Sequence, residues 1–270
     1  MTETLVPQVA VFAAAAIVVG FASGLFGISG GAILVPLLLT VFPRFGVADS
    51  VVMHSAVGTC LALGVPASIA STKKHHALGN LDVTFLRGWL PWIAIGTLAG
   101  VLTIELLRTR DLKIIFTVYL FITAVYVALQ SPSEKGSDDG PRVTAKAIGG
   151  TVIANLSVWL GLGGGTLTVP YLRAFHYPIR KAIAVSSATG LVITFGGAIG
   201  AIIHGWGVAG RAPFSFGYVD GVAFAVMTPI LMFLAPRGAS VATRASEVVL
   251  KWIYVGLLFG VAVYMAIRTF

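Results

Sequence analysis

The chain has 270 residues, 57% of them hydrophobic and 10% charged, with a formal charge of +8 and a mean hydropathy of +0.95. A water-soluble domain of this length covers itself with far more charge, so the class that fits is an integral membrane protein. Lys and Arg lie in short loops between apolar runs, as membrane topology demands, and give no reason to expect a nucleic-acid partner. The single cysteine, Cys60, excludes an internal disulfide and a thiolate metal cluster.

In chain order, a first apolar run covers about 5–28. It lacks the basic n-region of a secretory signal and is expected to be a retained span. After Ser29-Gly30-Gly31 comes a short run, about 32–42, then one at about 50–71 that closes in the polar turn Thr72–His76. Two ordinary spans follow at about 83–105 and 112–130, each near the roughly 20 residues a bilayer core requires. The segment 131–142, SPSEKGSDDGPR, carries Pro, Gly, Ser and charge without apolar periodicity and reads as a linker. Beyond it lie a span at about 144–162, a second glycine cluster, a short run at about 166–177, and spans at about 182–204, 219–235 and 248–267.

The second half repeats the first. Ser23–Pro36, SGLFGISGGAILVP, aligns without gaps on Ser157–Pro170, SVWLGLGGGTLTVP, with six identities in fourteen positions. Ser55-Ala56-Val57-Gly58 answers Ser187-Ala188-Thr189-Gly190, and Gly79-Asn80-Leu81-Asp82 answers Gly217-Tyr218-Val219-Asp220. Three echoes in one order indicate a duplication: a first transmembrane repeat over 1–130, a cytoplasmic linker over 131–142 and a second repeat over 143–270. The expected fold is an all-α membrane protein, a polytopic helical bundle.

If the two short runs are re-entrant, there are eight crossings and the repeats are parallel. If each completes a crossing, there are ten and the repeats are inverted. Ten crossings put 12 Lys and Arg on the linker side and 6 on the other, against 10 and 8 for eight crossings. The inverted scheme therefore fits better, with termini outside.

Glycine costs about 1 kcal/mol against alanine within a helix, so adjacent glycines favour a break. Non-helical backbone at membrane depth survives only where protein or a water-filled cavity satisfies it. A helix that restarts there exposes free N–H groups and a positive dipole end, suited to an anion. Repeat-related broken helices near the midplane are how many secondary transporters build a substrate site. Glycine also serves close helix packing, but two related clusters, each followed by Val-Pro, favour the break. The candidate substrate-binding residues are Ser29, Gly30 and Gly31 with Ser55 and Thr59 in the first half. In the second they are Gly163, Gly164, Gly165, Thr166, Ser186, Ser187 and Thr189. Their hydroxyls can donate to an oxyanion without a buried cation, although each can also bond its own helix.

Ionisable residues at depth are functional candidates. His54, just inside the third run, is the candidate for proton coupling. Asp82 and Asp220, at matching span starts, read as helix caps. There is no Walker A, HExxH, GxSxG or CxxC, so no enzyme, catalytic residue, metal or cofactor is expected.

On the glycine-rich opening Ser23–Pro36, the Ser55–Gly58 element, the His75–Asp82 loop, the charged linker and the second cluster, the sequence resembles the TauE/SafE family of membrane permeases, the sulfite exporters. That resemblance implies a bacterial or archaeal inner-membrane transporter of sulfite, sulfonates or sulfoacetate, driven by protons. An uncoupled anion channel and a membrane assembly or sensor protein that moves nothing are the rival expectations. Partners are the anion and the lipid bilayer. Substrate, direction and oligomeric state, a homodimer included, stay open.

Overall fold

A computed structural model describes residues 2–26, 30–129, 140–242 and 246–269. Ten α-helices lie among the described residues: α1 Thr2–Phe26, α2 Gly31–Val41, α3 Val52–Ala77, α4 Val83–Ile104, α5 Thr109–Leu129, α6 Val143–Leu160, α7 Gly165–Ala174, α8 Ile179–His204, α9 Gly221–Ala242 and α10 Glu247–Thr269. A 3-10 turn, Phe42–Phe45, follows α2, and a two-residue hairpin, β1 Ser215–Phe216 with β2 Val219–Asp220, precedes α9. Eight of the helices are long and apolar enough to cross a membrane, all but α2 and α7. The chain is an all-α polytopic membrane protein.

Two boundaries differ from the sequence reading. Thr72–His76 is not a turn but the end of α3, which runs to Ala77. Lys74, His75 and His76 fall in its last turn, where cations complement the carbonyl end of the dipole. Likewise α9 continues through Pro229 and Pro236 to Ala242.

The central pair is α3 and α8, which are 67% and 61% buried over their most apolar windows against 17% for α9. Their register is antiparallel. Gly58 lies against Ala201, Leu61 against Gly197, Gly64 against Thr194 and Ser68 against Gly190. At the end of the series the Ser71 and Ser187 hydroxyls are 2.8 Å apart. Small residues let the two backbones approach.

The flanking pairs are parallel. Gly20, Gly24 and Leu25 of α1 meet Leu231, Ala235 and Gly238 of α9. Gly96 and Gly100 of α4 meet Thr151 and Asn155 of α6, and Trp159 Nε1 donates to Thr103 Oγ1 at 3.1 Å. Exchanging the first five helices for the last five turns α1–α9 into α6–α4 and leaves α3–α8 and α5–α10 as pairs.

These directions decide the number of segments. With α4 and α6 parallel and α3 and α8 antiparallel, α6 and α8 run the same way. So α7 must return the chain, and Tyr171 of α7 indeed reaches back along α6 to donate to Ala145 O at 2.6 Å. By the same reasoning α2 returns the chain between α1 and α3. The arrangement is the inverted one, with ten segments, two of them short.

The loops gather accordingly. At one end Tyr177 donates to Asp82 Oδ2 at 2.8 Å and Lys146 Nζ sits 4.1 Å from the centre of the Phe85 ring. At the other, Ala48 N–H donates to Gly210 O at 2.8 Å and Thr109 Oγ1 to Ser50 O at 2.6 Å.

Candidate anion site at the paired helix breaks

Both glycine clusters interrupt helix. Gly161 caps α6 in the left-handed region (φ 65°), and Leu162 N–H donates back to Ser157 O at 2.8 Å. Gly164 is again left-handed (φ 66°), and α7 begins at the next residue. A Cβ on Gly164 would be strained by that conformation and would stand 2.9 Å from Gly190 Cα, so the position admits only glycine. Between the two, the backbone runs from the level of Val57 and Cys60, near the start of α3, to Gly190, near the middle of α8. Thus α7 starts inside the bundle.

In the first half, Gly27, Ile28 and the candidate Ser29 lie outside the described residues. Gly30 precedes α2 and accepts from Ile33 and Leu34 N–H. Gly31 opens α2 directly against the carbonyl of Gly161, so the two breaks touch. Pro36 and Pro170 each stand five residues after the opening glycine, so the carbonyls of Ala32 and Thr166 lose their usual helical donor.

The candidates divide between two places. Gly30, Gly31, Gly163, Gly164, Gly165 and Thr166 form the breaks themselves, and Ser186 Oγ lies 3.9 Å from where a Cβ on Gly165 would stand. Ser186 and Ser187 donate to Ile183 O, and Thr189 donates to Ser186 O. Ser187 faces Ser71 across the α3–α8 seam. Ser55 is buried at the outset of α3 with its hydroxyl unpartnered. Thr59 is committed to the hairpin: it accepts from Asp220 N–H at 3.0 Å and donates to Tyr218 O at 3.5 Å.

Thr166 and Thr168 are buried; the Thr168 hydroxyl has no partner and that of Thr166 meets only another hydroxyl, and an unmet buried hydroxyl is a deficit of about 1–3 kcal/mol unless something else supplies the bond. The Tyr119 hydroxyl of α5, also buried, faces the hydroxyls of Thr166 and Thr123. Sequence reasoning missed Thr168, Tyr119 and Gly190. Thr168 sits two residues beyond Thr166 and Gly190 closes the Ser187–Gly190 echo, so both had a signal; Tyr119 had none. The two helix starts are chemically unequal, since α2 opens Gly31-Ala32-Ile33-Leu34 and α7 opens Gly165-Thr166-Leu167-Thr168.

Residues 12–265 match the family described as Sulfite exporter TauE/SafE. The chain belongs to this family. It is 30% identical to a probable membrane transporter protein of Haemophilus influenzae, over 92% of this chain and 94% of that one. It is 31% identical to a probable membrane transporter protein of Methanocaldococcus jannaschii, over 67% and 68%. A second Haemophilus influenzae protein of the same description is 24% identical over 92% of both chains. No solved structure matches the chain. As a TauE/SafE protein it is a multi-pass membrane transporter.

A second polar cluster occupies the end of the molecule where α4 and α8 finish. His54 is buried, with Nε2 3.4 Å from Ile104 O and its ring 5.3 Å from that of Tyr218. His204 Nδ1 is 3.8 Å from Glu105 Oε1. Burial and the neighbouring Glu105 push the Tyr218 phenol up to about 12. The repeat-related aspartates both cap helices, Asp82 accepting from Phe85 N–H and Asp220 from Ala223 N–H. Burial raises the Asp220 carboxyl, whose Oδ2 is unpartnered. Burial acts the same way on Asp82, but the Phe85 N–H, the Tyr177 hydroxyl and the Lys181 and Lys146 charges outweigh it and hold that carboxyl low.

Proposed function

We propose that the protein is a secondary transporter of small sulfur-containing anions, such as sulfite, sulfonates or sulfoacetate, coupled to protons through His54. The anion binds where the breaks meet. The observation that carries this reading is the contact of Gly31 with the Gly161 carbonyl, beside a helix start where the Thr168 hydroxyl lacks a partner and that of Thr166 meets only Tyr119. At the start of α7 the Gly165 amide donates to Gly163 O at 2.6 Å and the Thr168 amide to Gly164 O at 2.9 Å; the amides of Thr166 and Leu167 lie between them, in the turn where an α-helix leaves its N–H groups for outside acceptors and the dipole places partial positive charge. Thr166 is the nearest hydroxyl donor, with Tyr119 and Ser186 around it, and the apolar start of α2 forms the opposite wall.

The protein sits in the bacterial or archaeal plasma membrane as two inverted repeats, 1–130 and 143–270, joined by a linker over 131–142. The loops on the linker side carry 12 of the 18 Lys and Arg residues, which supports a cytoplasmic linker with the termini outside. Alternating access comes from one repeat rocking on the other across the α3–α8 seam.

Purified protein in liposomes should take up labelled sulfite or sulfoacetate saturably and only with a pH gradient. Flux indifferent to the gradient would replace this reading with a channel, and no flux of any small anion would remove it.

A further inference from the structure

His54, Glu105, His204 and Tyr218 line one small, partly open cavity of about 10 Å³, about the space of a single water molecule. Its walls grade inward from solvent: the Glu105 side chain is 38% exposed, that of His204 24%, and His54 is 8% exposed. A ring nitrogen facing a carbonyl must carry the proton, so Nε2–H of His54 donates to Ile104 O and Nδ1 is left as the acceptor. That Nδ1 is buried and has no partner. A water in the cavity, donating to His54 Nδ1, would satisfy it.

We propose that Glu105 and His204 are the proton entry to His54, acting through a water held in this cavity. The proposal rests on the proton-coupled reading above. A proton arriving from solvent adds to the Glu105 carboxylate or the His204 imidazole. It is then handed to the cavity water as that water's own proton forms the N–H bond at His54 Nδ1, so one proton enters and none is left on the relay. Release toward the other face returns His54 to its starting state.

Other charged and titratable groups face this chain from each neighbouring element. Arg211 donates to Val208 O and Gly217 O and thereby holds the hairpin loop. Tyr218 stacks on His54, and its strand neighbour Asp220 is turned to Thr59 and the start of α9. Glu105 comes from α4 and His204 from α8, so the relay bridges two helices that belong to different repeats.

The test separates exchange from proton-driven accumulation, using labelled sulfoacetate, whose sulfonate does not titrate near neutral pH. Counterflow at equal pH on both sides needs no net proton movement; accumulation against a gradient does. Glu105→Gln and His204→Gln are partly exposed positions that leave the folded bundle intact. Each should keep counterflow within about twofold of the wild type and lose at least tenfold of pH-driven accumulation. Accumulation unchanged in both variants overturns the relay, and so does equal loss of counterflow. Absence of counterflow in the wild type removes the transport reading itself, a result the variants play no part in.

Discussion

Gly31 of α2 lies against the main-chain carbonyl of Gly161, at the end of α6, and this contact ties the two halves of the bundle together at their interruptions. A methyl group on Gly31 has nowhere to go without moving backbone. By contrast, one on Gly165 meets only the Ser186 hydroxyl, at ordinary contact distance. Gly31→Ala is therefore expected to destabilise the protein by about 1–3 kcal/mol, the usual range for overpacking. Gly165→Ala should be neutral or slightly stabilising, since alanine is the better helix former. Thermal unfolding of both in the same detergent checks the contrast; equal melting points would mean that the breaks do not abut.

Ser71 and Ser187 face each other across the antiparallel seam. In a background with Cys60→Ala, the pair Ser71→Cys and Ser187→Cys should form a disulfide under mild oxidation, visible by mass spectrometry. The cross-link should stop transport and reduction should restore it, because the seam is where the halves move. The pair Gly58→Cys and Ser187→Cys, at opposite ends of the seam, should stay reduced.

Much of this arrangement was legible beforehand. The duplicated Ser23–Pro36 and Ser157–Pro170 segments located both breaks, and the Lys and Arg distribution favoured the inverted, ten-segment scheme that the α3–α8 register bears out. Residue-level roles were less readable because a hydroxyl's partner depends on which helix lies opposite. Thr59 reads as a site residue by its place near the Ser55–Gly58 element, yet its bonds go to a hairpin more than 150 residues away. Tyr119 sits in an ordinary span and becomes noticeable only when α5 is laid beside the start of α7. The end of α3 was misplaced because Thr72–His76 is polar, and polarity marks the membrane boundary rather than the helix boundary.

The buried Thr166 and Tyr119 hydroxyls face each other, and no main-chain carbonyl receives either of them. Thr166→Val and Tyr119→Phe should each weaken the half-saturation concentration for the transported anion tenfold or more, as loss of a hydrogen bond to a charged group costs about 1.5–3 kcal/mol. Neither should lower the melting point by more than a few degrees, since each change removes at most a loose hydroxyl–hydroxyl contact. A fall in stability with unchanged affinity would make these residues structural.

Asp82 and Asp220 should respond to pH with opposite sign. The folded-state pKa of Asp220 is raised by burial, so its contribution to stability is full at low pH. That contribution is lost as pH rises from the unfolded value through the folded one. The folded-state pKa of Asp82 is lowered, so its contribution is present above the usual carboxylate value and lost as pH falls through the folded one. Asp220→Asn should raise the melting point at pH 7 by a few degrees relative to the wild type and lose that advantage near pH 4. Asp82→Asn should lower it at pH 7, with the gap closing in acid. Melting curves of the three proteins across pH 4–8 decide the matter.

The central claim is that a small anion occupies the junction of the two breaks, at the first turn of α7. Its most direct measurement is protection of Thr166→Cys, in the Cys60→Ala background, from a thiol reagent while sulfoacetate is titrated in. Labelling should slow as sulfoacetate is added, with half-protection at the concentration that half-saturates transport by the same variant, and Leu78→Cys, exposed just after α3, should label at a constant rate throughout. Labelling of Thr166→Cys that is indifferent to a sulfonate the protein demonstrably transports would place the cargo elsewhere.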